Sequence, residues 1–76
     1  MQPENIEKLI RDGLDGADVR VMSDDNTHFE AIVVSAEFEG KRPLARHQMV
    51  YATLGSLMGG EIHALSIKAM TPAEAG

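Results

Sequence analysis

The sequence predicts an α+β fold, one small three-stranded sheet with helices packed on one face. Three observations carry that expectation. Apolar side chains recur at helical spacing over residues 3–14 and again over 43–58. Between and after them, residues 17–22, 28–35 and 62–70 alternate or run as β-branched stretches, the pattern of strands. The strands form a tight pair and a separated third, an order that suits a mixed layer of sheet and helix.

Taken in order, Pro3 suits the first turn of a helix, where its missing N–H costs nothing. Glu4 and Glu7 lie near that helix's positive end. Ile6, Leu9, Ile10 and Leu14 make the apolar stripe, and Gly13 or Gly16 stops it. From Ala17, Val19 and Val21 alternate with Asp18, Arg20 and Met22, a half-buried strand. Ser23-Asp24-Asp25-Asn26-Thr27 is turn chemistry, with side chains able to bond their own backbone. His28 to Ser35 then resumes as a strand and closes a hairpin. Ala36 to Gly40 is a short helical turn or loop. Pro43 starts a long helix running to about Met58, ended by Gly59-Gly60. Ile62 to Met70 is the third strand, and Thr71-Pro72-Ala73-Glu74 carries the cap and first-turn proline of a further helix in a short tail, residues 71–76. The order is α-β-β-(short α)-α-β, read as a single domain over 1–76 with its core at about 4–70.

Composition bounds the function. A chain of 76 residues buries only about 60–65% of the surface its unfolded form exposes, so its stability is small. There is no cysteine, which excludes disulfides and Cys-rich zinc sites. The net charge of −5 argues against sequence-blind nucleic-acid binding over a broad surface. No apolar run approaches the length of a membrane span and no signal-peptide pattern opens the chain, so a cytoplasmic protein is expected. No nucleophile elbow or paired acids are present, so no enzyme is expected.

The candidate chemistry lies in three histidines and one basic turn. On a helical wheel, Leu44, His47, Tyr51, Leu54 and Met58 form one stripe with Val50 and Leu57 beside it, which makes His47 a core imidazole with a hydrogen-bond partner. Met49 falls on the opposite face with Arg46, Thr53 and Ser56, either a protein-binding methionine or an isolated exposed one. His63 sits at the rim of the core just past Gly59-Gly60, near the long helix's negative end, where it is a structural rim residue, a metal ligand or a partner contact. His28 leads the second strand, as a surface residue or as part of a weak metal group with Asp24, Asp25 and Asn26. Lys41, Arg42 and Arg46 flank the start of the long helix beside Gly40, a solvated turn or an anion site. A KH-type GXXG loop would clamp a nucleic-acid backbone in this place, but Gly40-Lys41-Arg42-Pro43 has only the first glycine.

Four motifs in order resemble one family. They are His28-Phe29-Glu30-Ala31-Ile32-Val33-Val34-Ser35 with Phe38-Glu39-Gly40-Lys41, then Arg46-His47-Gln48-Met49-Val50-Tyr51, then Ile62-His63-Ala64-Leu65-Ser66-Ile67-Lys68, and Thr71-Pro72-Ala73-Glu74. Together they resemble the BolA family, and within it the short bacterial YrbA-like branch, over roughly Val19 to Glu74. The resemblance implies a class II KH-like α+β fold. It implies an adaptor that pairs with a monothiol CGFS glutaredoxin and shares a [2Fe–2S] cluster held also by glutathione, in iron–sulfur trafficking or iron regulation. The alternative it implies is a DNA-binding stress regulator, using Lys41, Arg42 and Arg46. The family's invariant histidine falls on His63, which becomes the expected cluster ligand and partner contact, with Met49 a lesser partner contact. Many cluster-sharing relatives carry a histidine or cysteine in the first hairpin turn; here only His28, at its end, stands for a second ligand. The free protein is expected to be a monomer or weak dimer.

Overall fold

The computed structural model describes residues 1–62 and 64–76, and the expectations that rest on His63 lie outside the described residues. Helix α1 spans Pro3–Gly13, strand β1 Asp18–Met22 and strand β2 His28–Val34. A 3₁₀ turn at Ala36–Phe38 leads to helix α2, Pro43–Leu54, which a second 3₁₀ turn, Gly55–Leu57, extends. Strand β3 spans Ala64–Met70 and helix α3 Pro72–Ala75. The sheet order is β1-β2-β3, with β1 antiparallel to β2 and β3 parallel to it.

Parity decides which face is covered. Val19 and Val21 of β1, and Phe29, Ala31 and Val33 of β2, are buried with Ile6, Ile10 and Leu14 from α1 and Val50 and Leu54 from α2. Ile6, Ile10, Phe38, Val33, Val50 and Ile62 are fully buried, and each large aliphatic or aromatic side chain so placed contributes about 1.5–3 kcal/mol. Both helices therefore lie on one face, as the α+β expectation requires. The other face is bare: Asp18, Arg20 and Met22 of β1, and His28 and Glu30 of β2, are exposed along it.

The main correction concerns α2. It ends at Leu54 rather than near Met58, because Gly55 takes a positive φ of 56° that a continuing helix cannot hold. Gly59, also at positive φ, makes a second turn in which its N–H donates to the Ile62 carbonyl. Among the described residues strand β3 is Ala64–Met70, and Ile62 forms an isolated bridge to Met58. The helix is also rotated from the wheel reading. Leu44 is 70% exposed and Tyr51 is exposed, whereas Met49, expected outside, is half-buried against the core. Two contacts set this rotation. Gly13 of α1 lies so close that a Cβ there would meet Thr53 Cγ2 at 2.5 Å, so the Thr53 face is the one turned to α1. Arg46, on the same side, is drawn inward by partners described below.

Candidate functional site

The β1–β2 turn holds the one histidine at which the described structure builds a defined environment. Asn26 takes a left-handed φ of 56°, which asparagine tolerates, and the chain folds back around two side chains. Ser23 Oγ donates to the His28 carbonyl at 2.7 Å and accepts the Asn26 N–H at 2.9 Å. Asp25 Oδ1 accepts the backbone N–H groups of Thr27 and His28, each at 2.9 Å. Its other oxygen, Oδ2, lies 3.0 Å from His28 Nδ1.

These bonds favour the ionised form of Asp25 and fix which nitrogen of the His28 ring faces it. The His28 backbone N–H, then its ring N–H, then the Thr27 N–H hold the Asp25 carboxyl well below the usual carboxylate range. An ionised carboxylate only accepts, so Nδ1 must carry the proton that joins them. In the neutral ring the lone pair then sits on Nε2. A carboxylate behind one ring nitrogen is the arrangement that orients a metal-binding imidazole and raises its basicity. The His28 side chain is 76% exposed, so Nε2 is open to a ligand.

His28 borders a solvent-open cavity of about 430 Å³ on the bare face, lined also by Ser23, Asp24, Asp25, Glu30, Ala64 and Ser66. Its register partner across the parallel pair is Ala64, the residue that follows His63 in the sequence. Among the described residues no group of three or more His, Cys, Asp or Glu side chains is placed to hold a metal ion. His28 Nε2 is thus a single open nitrogen donor at this end of the sheet.

The basic turn lies at the opposite end of the sheet. Strand β2 runs from His28 to Val34, about 20 Å at the usual rise, before the chain reaches Lys41. Lys41 and Arg42 are exposed there, and Gly40 takes a φ of 76° to turn into α2. Arg46 is not with them. Its side chain is only 12% exposed, and Nη1 and Nη2 donate to Glu74 at 2.6 and 3.3 Å. Nη1 also reaches the Ala69 carbonyl and Nε the Lys41 carbonyl, while the guanidinium carbon lies 5.9 Å from the Phe38 ring centroid. This is a fork that pins α3 and the β3 end to α2. His47 is half-buried on α2 rather than enclosed in the core, and Met49 packs inward. In the sequence Asp25 is one of several turn acids; the signal that marks it is an acid three residues before a histidine in a turn-forming run.

A BolA-like protein family model matches residues 10–74. The chain belongs to the BolA-like family. Its BolA-like relatives include BolA-like protein 1 of Homo sapiens, 54% identical over 48 residues that cover 63% of this chain. That match spans only 35% of the human protein's length. An uncharacterized protein of the rpoN-murA intergenic region in Acinetobacter guillouiae is 40% identical over 75 residues, covering 97% of this chain and 89% of its own. A Vibrio cholerae relative, 46% identical over 48 residues, or 63% of this chain and 45% of its own, is named DNA-binding transcriptional regulator BolA. Among solved structures, the BolA protein homologue from Coxiella burnetii superposes with a TM-score of 0.83 at 44% identity, covering 99% of this chain and 96% of the other. The BolA-like assignment agrees with the α+β architecture built above. No helix among the described residues is long and apolar enough to cross a membrane.

Proposed function

We propose that this BolA-like chain is a cytoplasmic adaptor that pairs with a monothiol glutaredoxin and co-ligates a shared [2Fe–2S] cluster through imidazole nitrogen, in iron–sulfur trafficking or iron regulation. The observation that carries the reading is His28, whose Nδ1 is committed to Asp25 and whose Nε2 is open beside the cavity at Ala64. His63, next to Ala64 in the sequence and the histidine on which the family's invariant position falls, is the first proposed ligand, with His28 beside it. The chain has no cysteine, so the thiolates come from the glutaredoxin and glutathione. Nitrogen ligation on one iron would raise the cluster's potential, as two imidazoles do in Rieske centres.

Mixing both apo-proteins with iron, sulfide and glutathione should give a heterodimer whose visible absorption and circular dichroism differ from those of the glutaredoxin homodimer. His28→Ala and His63→Ala should each change that spectrum, and Asp25→Asn should shift it less than either. A spectrum unchanged in both histidine variants would falsify imidazole ligation by this chain.

A second reading has its own support. The stretch from Gly40 to Gly60 contains no acid in a chain of net charge −5, and the Vibrio relative is named for DNA binding. With Arg46 committed to Glu74, the cations this turn offers are Lys41 and Arg42, so binding should release about two counterions and weaken with salt at a slope near −1.8. A slope that a Lys41→Ala/Arg42→Ala variant leaves unaltered rules this surface out.

A further inference from the structure

The second half of β2 is apolar on both sides. Ala31 and Val33 enter the core, while Ile32 and Val34 point to the bare face and are half-buried there. A strand with this pattern is normally covered on both faces, yet α1 and α2 both lie on the other one. Around Ile32 and Val34 the register aligns two adjacent rows across the sheet. One row is Asp18, Val34 and Met70; the next is Arg20, Ile32 and Lys68. A groove of about 170 Å³ runs between Asp18, Arg20, Ile32 and Val34. Arg20 and Lys68 pair with no carboxylate among the described residues.

We propose that this end of the bare face docks a second copy of the chain, about a two-fold axis that runs across the strands between the two rows. Each row then lies on the other row of the second copy. Asp18 faces the second copy's Arg20, Val34 packs on its Ile32, and Met70 covers the aliphatic stem of its Lys68, each contact occurring twice. Charge selects both the occupant and the axis. An acidic partner would set like charge against Asp18 and Glu30, whereas a second copy supplies Asp18 with its opposite. An axis along β2 would instead bring Arg20 onto Lys68 and Glu30 onto its own equivalent, which repels. Three strands about 4.8 Å apart and four residues deep make a patch far below the roughly 800 Å² per partner of a stable interface. The dimer is therefore weak and concentration-dependent, and it leaves the His28 end uncovered.

Sedimentation equilibrium of the full chain from about 10 µM to about 1 mM tests this across the affinity range such a patch supports. The average mass should climb from 8.2 kDa toward twice that value. Arg20→Asp should weaken association at least tenfold, since it sets two acids face to face. Asp18→Arg combined with Arg20→Asp should restore it, because the pair is exchanged across the axis. Both positions are exposed, so far-UV circular dichroism should show the fold retained. Leu44→Glu, on the exposed side of α2, should leave association unchanged. A monomer mass at the highest concentration overturns the proposal. So does a folded double variant that fails to regain association, or loss of association in Leu44→Glu.

Discussion

Replacing Gly13 by alanine tests the packing that orients α2. In an exposed helix the change would stabilise by about 0.5–1 kcal/mol, because glycine pays more backbone entropy. Here the added Cβ would meet Thr53 Cγ2 at 2.5 Å and Thr53 Cβ at 2.8 Å, both closer than real carbon contacts. Overpacking of this kind costs about 1–3 kcal/mol, so the net effect is a loss of up to about 2.5 kcal/mol. For a chain of this length that lowers the melting temperature by up to roughly 20 °C. Thr53→Ala removes Cγ2, together with the hydroxyl that donates to the Val50 carbonyl, but keeps Cβ, and should relieve part of the loss in the double variant; Thr53→Gly removes both obstructing carbons and should show the larger coupling. Thermal and urea unfolding of the two four-member cycles, followed by circular dichroism, measures both couplings. If Gly13→Ala raises stability as in an ordinary helix, α1 does not approach Thr53, and the rotation of α2 described above is wrong.

Two further outcomes follow from the same side of the molecule. Leu54→Ala should cost about 2–5 kcal/mol while Leu44→Ala stays within about 0.5 kcal/mol, although both leucines belong to one wheel stripe; equal losses in urea unfolding would restore the stripe as the buried face. The Glu74 carboxyl is held below its ordinary value of 4.5, first by the Arg46 guanidinium and then by the Thr71 N–H. A depressed folded pKa stabilises above the unfolded value and is lost as pH falls through the folded one. Glu74→Gln should therefore melt at a lower temperature than the parent at about pH 7, with the gap narrowing at about pH 3; a gap independent of pH would place the effect outside this carboxylate.

Legibility in the sequence follows the range of the interaction. The stripe Ile6, Ile10, Leu14 and the alternation around Val19 and Val21 are local periodicities, and the structure buries those residues. The tail likewise announces itself: Thr71 and Glu74 form a reciprocal capping box that starts α3. The face of α2 is not legible in the same way. Apolar side chains surround this helix at Leu44, Ala45, Met49, Val50, Tyr51 and Leu54, so its own pattern singles out no side. What selects the side is a glycine in another helix and a carboxylate 28 residues beyond Arg46. The same carboxylate separates Arg46 from Lys41 and Arg42, which adjacency alone groups together. The His28 environment lies between these cases, because its partner Asp25 is only three residues away but acts through a turn whose shape depends on Ser23 and Asn26.

The parallel pairing of β2 with β3 has a kinetic consequence. His28 and Ala64 are neighbours in space but 36 residues apart in the chain, and every other pair in that ladder has the same separation. Closing a loop of that length costs roughly 3 kcal/mol of chain entropy before any contact repays it. The β1–β2 hairpin and α1 are local and can form first, whereas the wall that Ala64 and Ser66 give to the His28 cavity waits for the long closure. The hairpin alone can orient the His28 ring, but only a completely folded chain presents it beside β3. A partner that reads both strands at once therefore discriminates finished molecules from partly folded ones, without any separate device for doing so.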